Sequence, residues 1–225
     1  MPSAILLDVD FTLARPGPEL GPIGYQRVGR EHGLDLDTSR LEASVRRAFA
    51  DAERHPELDH DEELWLRLTE AILRGMGGEG AGVTPCAAAI TAAWQEVHHF
   101  ELYDDVLPTL ARFRRHGYRI ALISNTARDL DLFVRHHQLD VDAALSSKVH
   151  GKMKPHASIF LAALELLGCI PAAAAMVGDS PEDDIAGARA LGMRAFLLDR
   201  HDRYPDAEDR LRGLDELPAA LGLPA

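Results

Sequence analysis

"AILLDVDFTLARP", residues 4–16, is the stretch on which the fold turns. The run Ala4-Ile5-Leu6-Leu7 is apolar without alternation, which fits a short strand buried on both faces of a parallel sheet. It ends in two carboxylates, Asp8 and Asp10. In a strand, positions i and i+2 face the same way. Two like charges about 4 Å apart repel by roughly 4 kcal/mol at an effective dielectric near 20. Such a pair persists where a cation sits between the two or where one carboxyl is protonated and serves as an acid. It also persists where both aspartates are simply solvated in a loop.

Further apolar runs of the same kind occur at 120–123, 175–177 and 195–198, with a weaker one at 144–145. Helical patterns separate most of them. Leu107, Leu110 and Phe113 form one stripe; Ile159, Phe160, Ala163, Leu166 and Leu167 form a cleaner one. Strand–helix alternation predicts an α/β fold: a Rossmann-like parallel sheet flanked by helices on both faces.

Residues 15 to about 102 break this rhythm and contain no convincing strand. They show helical stripes instead: Leu41, Val45, Ala48, Phe49, Ala52; Leu64, Leu68, Ala71, Ile72; and Cys86, Ile90, Ala93, Trp94, Val97. A first helix is expected near 25–32. Ser39 with Glu42 reads as a capping box, and Thr84-Pro85 as N-cap and first helical residue. The expected organisation is a core made of residues 1–15 and 103–225, with an all-helical domain, 16–102, inserted after the first strand. The glycine-rich "GMGGEGAG", residues 75–82, follows a helix and lacks a Lys-Ser/Thr ending, so it reads as a flexible connection within the insert.

The chain of 225 residues carries 36 Asp and Glu against 24 Lys and Arg, a net charge of -12. That balance argues against nucleic acid or an anionic membrane surface as a main partner. Cys86 and Cys169 belong to no C-x-x-C pair and read as free thiols of a reducing compartment. With neither a signal-peptide pattern nor an apolar run of membrane-spanning length, the expected location is the cytoplasm. Oligomeric state is left open.

The other strand ends carry the remaining chemistry. "IALIS" runs into Ser124-Asn125, and "AAMVGD" into Gly178-Asp179, followed by Ser180-Pro181-Glu182-Asp183-Asp184. Ser180 reads as an N-cap and Pro181 as the first helical residue. Acidic residues in that first turn also complement a helix dipole, with no further role needed. Lys152 and Lys154 precede Pro155. In open parallel sheets ligands bind at the carboxyl ends of strands, and Asp8, Asp10, Ser124, Asn125 and Asp179 all fall there. Carboxylate oxygens suit Mg²⁺, which often bridges protein to phosphate.

This pattern resembles the haloacid dehalogenase-like superfamily of phosphohydrolases. Four signatures stand in order: "DVDFTL", "LISN", "KP" and "VGDSPEDDIAGA", covering roughly residues 4–15 and 103–200. The helical insert after the first signature is similar to the family's first cap type. The resemblance implies Asp8 as nucleophile, forming an aspartyl-phosphate, and Asp10 as the acid and base. It implies Mg²⁺ held by Asp8, the backbone carbonyl of Asp10 and Asp179, with Asp184 beside it through water. Thr12 would position the loop around the phosphoryl group, Ser124 and Asn125 would bind its oxygens, and Lys154 would neutralise its charge. The substrate would be a small phosphorylated metabolite.

One departure is Phe11, where the family usually has glycine. Of the two lysines, Lys154 directly precedes the proline as the family pattern has it. His98-His99 and His136-His137 read as solvated helix ends, Trp65 and Trp94 as core, and Asp199 as a loop residue; His150 is close enough in sequence to Lys154 to reach a substrate. The competing readings are a haloacid dehalogenase or a phosphomutase on the same fold, and a non-catalytic binding module. Retention of Asp10 disfavours the dehalogenase, whose halide leaving group needs no proton.

Overall fold

The apolar runs become strands of one sheet. The computed structural model describes residues 2–224. Strand β1 (Ala4–Leu7) lies at the centre. A pair of short strands, β2 (Ala14–Pro16) and β3 (Phe100–Leu102), forms a separate two-stranded sheet. The main sheet adds β4 (Arg119–Ser124), β5 (Ala143–Ser146), β6 (Ala174–Gly178), β7 (Arg194–Leu198) and the short β8 (Arg210–Leu211). Its order is β5-β4-β1-β6-β7-β8 and every neighbouring pair is parallel. The chain builds outward from β1 on one side, then returns to build outward on the other. That reversal places a crevice at the carboxyl end of β1, between β4 and β6. Leu7 pairs with both Leu122 and Val177, so β1 stops between two neighbours that run on to Ser124 and Gly178.

Both faces of the sheet are buried, which is why its strands read as apolar runs. Ala4, Leu6, Ala121, Ile123, Met176, Ala195 and Leu197 share one cluster with Ile159, Phe160, Ala163 and Leu164. The latter four lie on a helix, Ala157–Leu166. By the pleat, Ile5, Leu7, Ile120 and Leu122 point the other way, and each is fully buried. Leu107 and Leu166 do not join the stripes expected of them: they are 49% and 61% exposed, while Val106 is fully buried. The buried set Val106, Leu110, Phe113 follows i, i+4, i+7, closer to the 3.6-residue turn than the i, i+3, i+6 spacing read from sequence.

The chain forms two compact units: Met1–Arg15, Glu57–His60 and Leu102–Ala225; and Pro16–Pro56 with Asp61–Glu101. The second is helical, built from α1 (Pro22–Glu31), α2 (Leu41–Ala50), α3 (Glu62–Gly75) and α4 (Val83–Ala93). Helix α3 packs on α2 and α4, and α1 on α4. Tyr25, Leu64, Leu68, Ile72, Cys86 and Ile90 are buried, whereas Phe49 is half exposed and Ala71 exposed. The caps differ from the reading above. Ser39 bonds Asp37, which caps a 3-10 turn ahead of α2, and α4 begins at Val83 after Gly82. Asp61 caps α3 through the Glu63 amide.

The four residues Glu57–His60 belong with the sheet unit although they were expected in the insert. Their backbone supplies the reason: Met153 N–H donates to Leu58, His60 N–H donates to Gly151, and Lys152 Nζ lies 2.7 Å from Asp59. A hydrophobicity pattern carries no sign of such backbone pairing. Cys86 and Cys169 are both free.

Leu6 is fully buried on the central strand. Leu6→Ala is expected to cost about 2–5 kcal/mol, read as a lower urea midpoint at unchanged slope.

Candidate active site

The site begins where β1 stops. Asp8 follows Leu7 and its N–H still donates to Val177 at 2.9 Å, so its backbone is held by the ladder. Its side chain is 9% exposed. The strand does not extend to Asp10. A tight turn takes over: Leu13 N–H and Ala14 N–H both donate to Val9, and Phe11 N–H donates to Ala14. Phe11 occupies the left-handed region at φ 62, where glycine is at ease and a bulky side chain is strained. The strand on which Asp8 and Asp10 were expected to share a face therefore gives way to a turn after Leu7, although Asp10 is still near enough to push Asp8 upward.

Lys154 comes from the loop ahead of the helix Ala157–Leu166 and is 2% exposed. Its Nζ donates to Asp8 Oδ1 and to Asp184 Oδ1, each at 2.6 Å, and to the Ile123 carbonyl at 3.1 Å. Its backbone is pinned by Asn125, which accepts from Lys154 N at 2.6 Å and donates to Lys154 O at 2.9 Å. Lys152 points instead to Asp59 and to the Glu57 carbonyl.

Asp179 and Asp184 follow β6. Ser180 Oγ accepts from Asp183 N–H at 3.1 Å, capping a π-helical turn, Pro181–Ala186, as the Ser-Pro pair led one to expect. The Ser180 N–H donates to Asp184 Oδ2 at 3.1 Å. This folds Asp184 back over Gly178 so closely that a Cβ on Gly178 would sit 2.1 Å from Asp184 Oδ2. Glycine is needed there for space, not for backbone freedom. Asp179 accepts from Arg203 at 3.0 Å.

Ligand oxygens of Asp8, Asp179 and Asp184 all lie within 4.8 Å of one another. Three hard carboxylate donors at that spacing suit a small divalent cation such as Mg²⁺. Both oxygens of Asp184 are engaged, one by Lys154 and one by Ser180. Burial dominates the titration of the cluster. It pushes Asp8 up to about 7, with Lys154 opposing and Asp184 reinforcing. Asp179 rises to about 6, by burial and then Asp8. Asp184 rises to about 6 by burial, against Lys154. Burial also works against the Lys154 ammonium, but Asp184 and Asp8 outweigh it and the net shift is upward. One lysine shared by Asp8 and Asp184 is held charged, Asp179 has only the half-exposed Arg203, and all three acids remain under-compensated.

The other expected residues fall around this centre. Asp10 turns to Arg128, which donates Nη1 to Oδ1 at 2.9 Å and Nη2 to Oδ2 at 3.2 Å. Asn125, expected on phosphoryl oxygens, spends its amide on the Lys154 backbone, with a longer contact of 3.4 Å to Asp183. Ser124 is buried at the tip of β4. Thr12 is fully buried, its carbonyl held by Arg200 Nε and Nη2. His150 bonds Ser158 Oγ. Asp199, read as a loop residue, is 1% exposed and accepts from Arg203 N–H, Tyr204 N–H and Arg210. Arg128, Arg200 and Arg203 escaped the sequence reading because a lone arginine in a loop has no period or spacing that points to its partner.

The chain matches the haloacid dehalogenase-like hydrolases over residues 3–192 and belongs to that family; it is a hydrolase. It is 30% identical over 231 residues to the phosphoserine phosphatase of Thermus thermophilus, an alignment covering 91% of each protein. It is 34% identical over 203 residues to human haloacid dehalogenase-like hydrolase domain-containing protein 3, covering 85% of this chain and 79% of that one. Among solved structures it is similar to a HAD phosphatase from Thermococcus onnurineus, with TM-score 0.67 and 26% identity, covering 99% and 98% of the two chains.

Two outcomes follow from this geometry. The raised carboxylates hold protons in the folded state that the unfolded chain has lost above its ordinary value of 3.8. Their contribution to stability is therefore present at low pH and lost as pH rises through about 6 to about 7. A bound cation removes that penalty, so the rise in Tm caused by Mg²⁺ is expected to be larger near pH ~7.5 than near pH ~5; a rise independent of pH would contradict it. Gly178→Ala, by displacing Asp184, is expected to abolish the Mg²⁺-dependent rise in thermal melts while the protein still folds.

Proposed function

We propose that this protein is a Mg²⁺-dependent phosphohydrolase that cleaves a small phosphorylated metabolite through an aspartyl-phosphate on Asp8. The observation that carries this reading is the buried Lys154 ammonium 2.6 Å from both Asp8 and Asp184, at the carboxyl edge of the sheet. It joins a nucleophile, a fixed cation and metal-ligand carboxylates at one point. Asp8, Asp179 and the backbone carbonyl of Asp10 would hold Mg²⁺, with Asp184 reaching it through water. When bound, Mg²⁺ supplies the positive charge that a phosphoryl group needs to approach this acidic centre.

In the first step a carboxylate oxygen of Asp8 attacks phosphorus. The bond to the leaving oxygen breaks, and that oxygen takes its electron pair and a proton from Asp10. In the second step water attacks the aspartyl-phosphate, Asp10 takes a proton from it, and the bond to Asp8 breaks to release phosphate. Lys154 remains charged throughout and offsets charge on the transferring group. Asn125 serves by holding the Lys154 backbone. Ser124 offers a hydroxyl at the strand tip, and Thr12 fixes the turn around Asp10. The helical unit acts as the inserted cap that selects the substrate. Carbon–halogen hydrolysis releases a halide that takes no proton, which would leave Asp10 without a task. Among the described residues no helix is long and apolar enough to cross a membrane, and a soluble metabolite substrate goes with a cytoplasmic location.

The test is phosphate release from a panel of phosphorylated metabolites, with p-nitrophenyl phosphate and acetyl phosphate as general probes, in Mg²⁺ or EDTA. Phosphoserine belongs on the panel because the Thermus relative is named for it. Mg²⁺-dependent release is expected, falling at least ~1000-fold in Asp8→Asn. Release no greater than that of Asp8→Asn across the panel would sink the proposal.

A further inference from the structure

We infer that Arg128 is the positioning residue for Asp10: a buried guanidinium clamp that sets the direction from which Asp10 exchanges its proton with the leaving oxygen and with water. This rests on the phosphohydrolase reading above. The clamp has the geometry of a fixture. Its two parallel contacts, at 2.9 Å and 3.2 Å, define the plane of the carboxylate as a single contact could not. The Arg128 side chain is 1% exposed against 22% for Asp10, so the arginine is the anchored partner. Its own backbone N–H donates to Thr126 Oγ1 at 3.1 Å, and its guanidinium lies 5.6 Å from the centre of the Phe133 ring.

Two acceptor positions of the carboxylate are taken and about two of its four remain open. Asp10 can therefore give a proton to the leaving oxygen as the phosphorus–oxygen bond breaks, and take one from water as the aspartyl-phosphate is hydrolysed, without leaving the clamp. The connecting logic is economical in chain: residues 124–128 leave β4, with Asn125 fixing the Lys154 backbone and Arg128 fixing Asp10. One loop thus orients the cation of the site and its proton carrier.

The experiment compares wild type, Arg128→Met, Arg128→Lys, Asp10→Asn and the double variant Asp10→Asn/Arg128→Met on p-nitrophenyl phosphate, phenyl phosphate and glycerol phosphate. Folding is checked by thermal melts. Proton donation matters most where the leaving oxygen is most basic. Arg128→Met is expected to lose about 100-fold on glycerol phosphate, but to release the first equivalent of p-nitrophenol within about fivefold of wild type before turnover slows. Arg128→Lys keeps the charge and the approximate volume but not the fork, and is expected to show the same ordering with a loss of about 10-fold on glycerol phosphate; it serves alone if the methionine variant does not fold. Because Arg128 acts through Asp10, the double variant is expected to be no slower than Asp10→Asn. An equal loss on all three substrates, or losses that multiply in the double variant, would overturn the inference while leaving the phosphohydrolase reading intact. A wild type that turns over none of the substrates, nor any of the metabolite panel, would remove both.

Discussion

Two buried carboxylates, a third at their edge and one buried ammonium share a small space. Lys154 Nζ sits 2.6 Å from Asp8 and from Asp184, and Asp179 lies within the same cluster. Each ion loses its hydration on burial, a penalty of several kcal/mol that pairing must offset. Lys154 pairs two of the three negative charges, and the third has only Arg203 at the solvent edge. The result is visible in both directions: the lysine is held charged, and the acids are driven upward towards neutrality. An arrangement this unbalanced persists only on a scaffold that overrides it, and it is well suited to a divalent cation that supplies the missing charge.

The scaffold does so with backbone contacts rather than with further charge. Asp8 is held by the β1–β6 ladder, Lys154 by the amide of Asn125, and Asp184 by the Ser180 N–H over the bare Gly178. None of these contacts alters the net charge of the cluster. Each is made at or just beyond the tip of a neighbouring strand, and the parallel register of β4, β1 and β6 brings those tips together. The apolar interior of the same strands, fully buried at Ile5, Leu6, Leu7, Leu122, Ile123 and Val177, makes that register rigid. Sheet and site are thus one device: the core fixes the register, and the register fixes the charges.

This explains what could be read from the sequence. Strands buried on both faces leave unbroken apolar runs, so five of the six strands of the main sheet were legible, with the carboxylates that follow β1 and β6. Helices of the insert were legible as elements but less so in detail: Phe49 is exposed although it falls on the expected stripe, because the buried face of α2 runs through Ser44 and Ala48. Backbone pairing left no trace, so the attachment of Glu57–His60 to the sheet unit was missed. The arginines were missed for a different reason. Arg128 lies 118 residues from Asp10 in sequence, and Arg203 lies 24 from Asp179. Only the folded topology makes either pair adjacent.

The two aspartates at the end of β1 raise the problem of like charges two residues apart, and the structure distinguishes them in two ways. The strand ends at Leu7, and the turn with Phe11 in the left-handed region redirects Asp10. Different cations then receive the two carboxylates: Asp8 goes to the buried ammonium of Lys154, Asp10 to the guanidinium of Arg128. Two chemically identical side chains so acquire distinct surroundings, which is the condition for giving them distinct tasks. A nucleophile benefits from being shielded and close to a metal. A proton carrier benefits from a fixed plane, open lone pairs and partial access to solvent, which Asp10 has at 22% side-chain exposure. The strained Phe11 follows Asp10 directly, in the turn that closes onto the Val9 carbonyl, so the turn that costs backbone energy is also the element in which Asp10 meets its own cation.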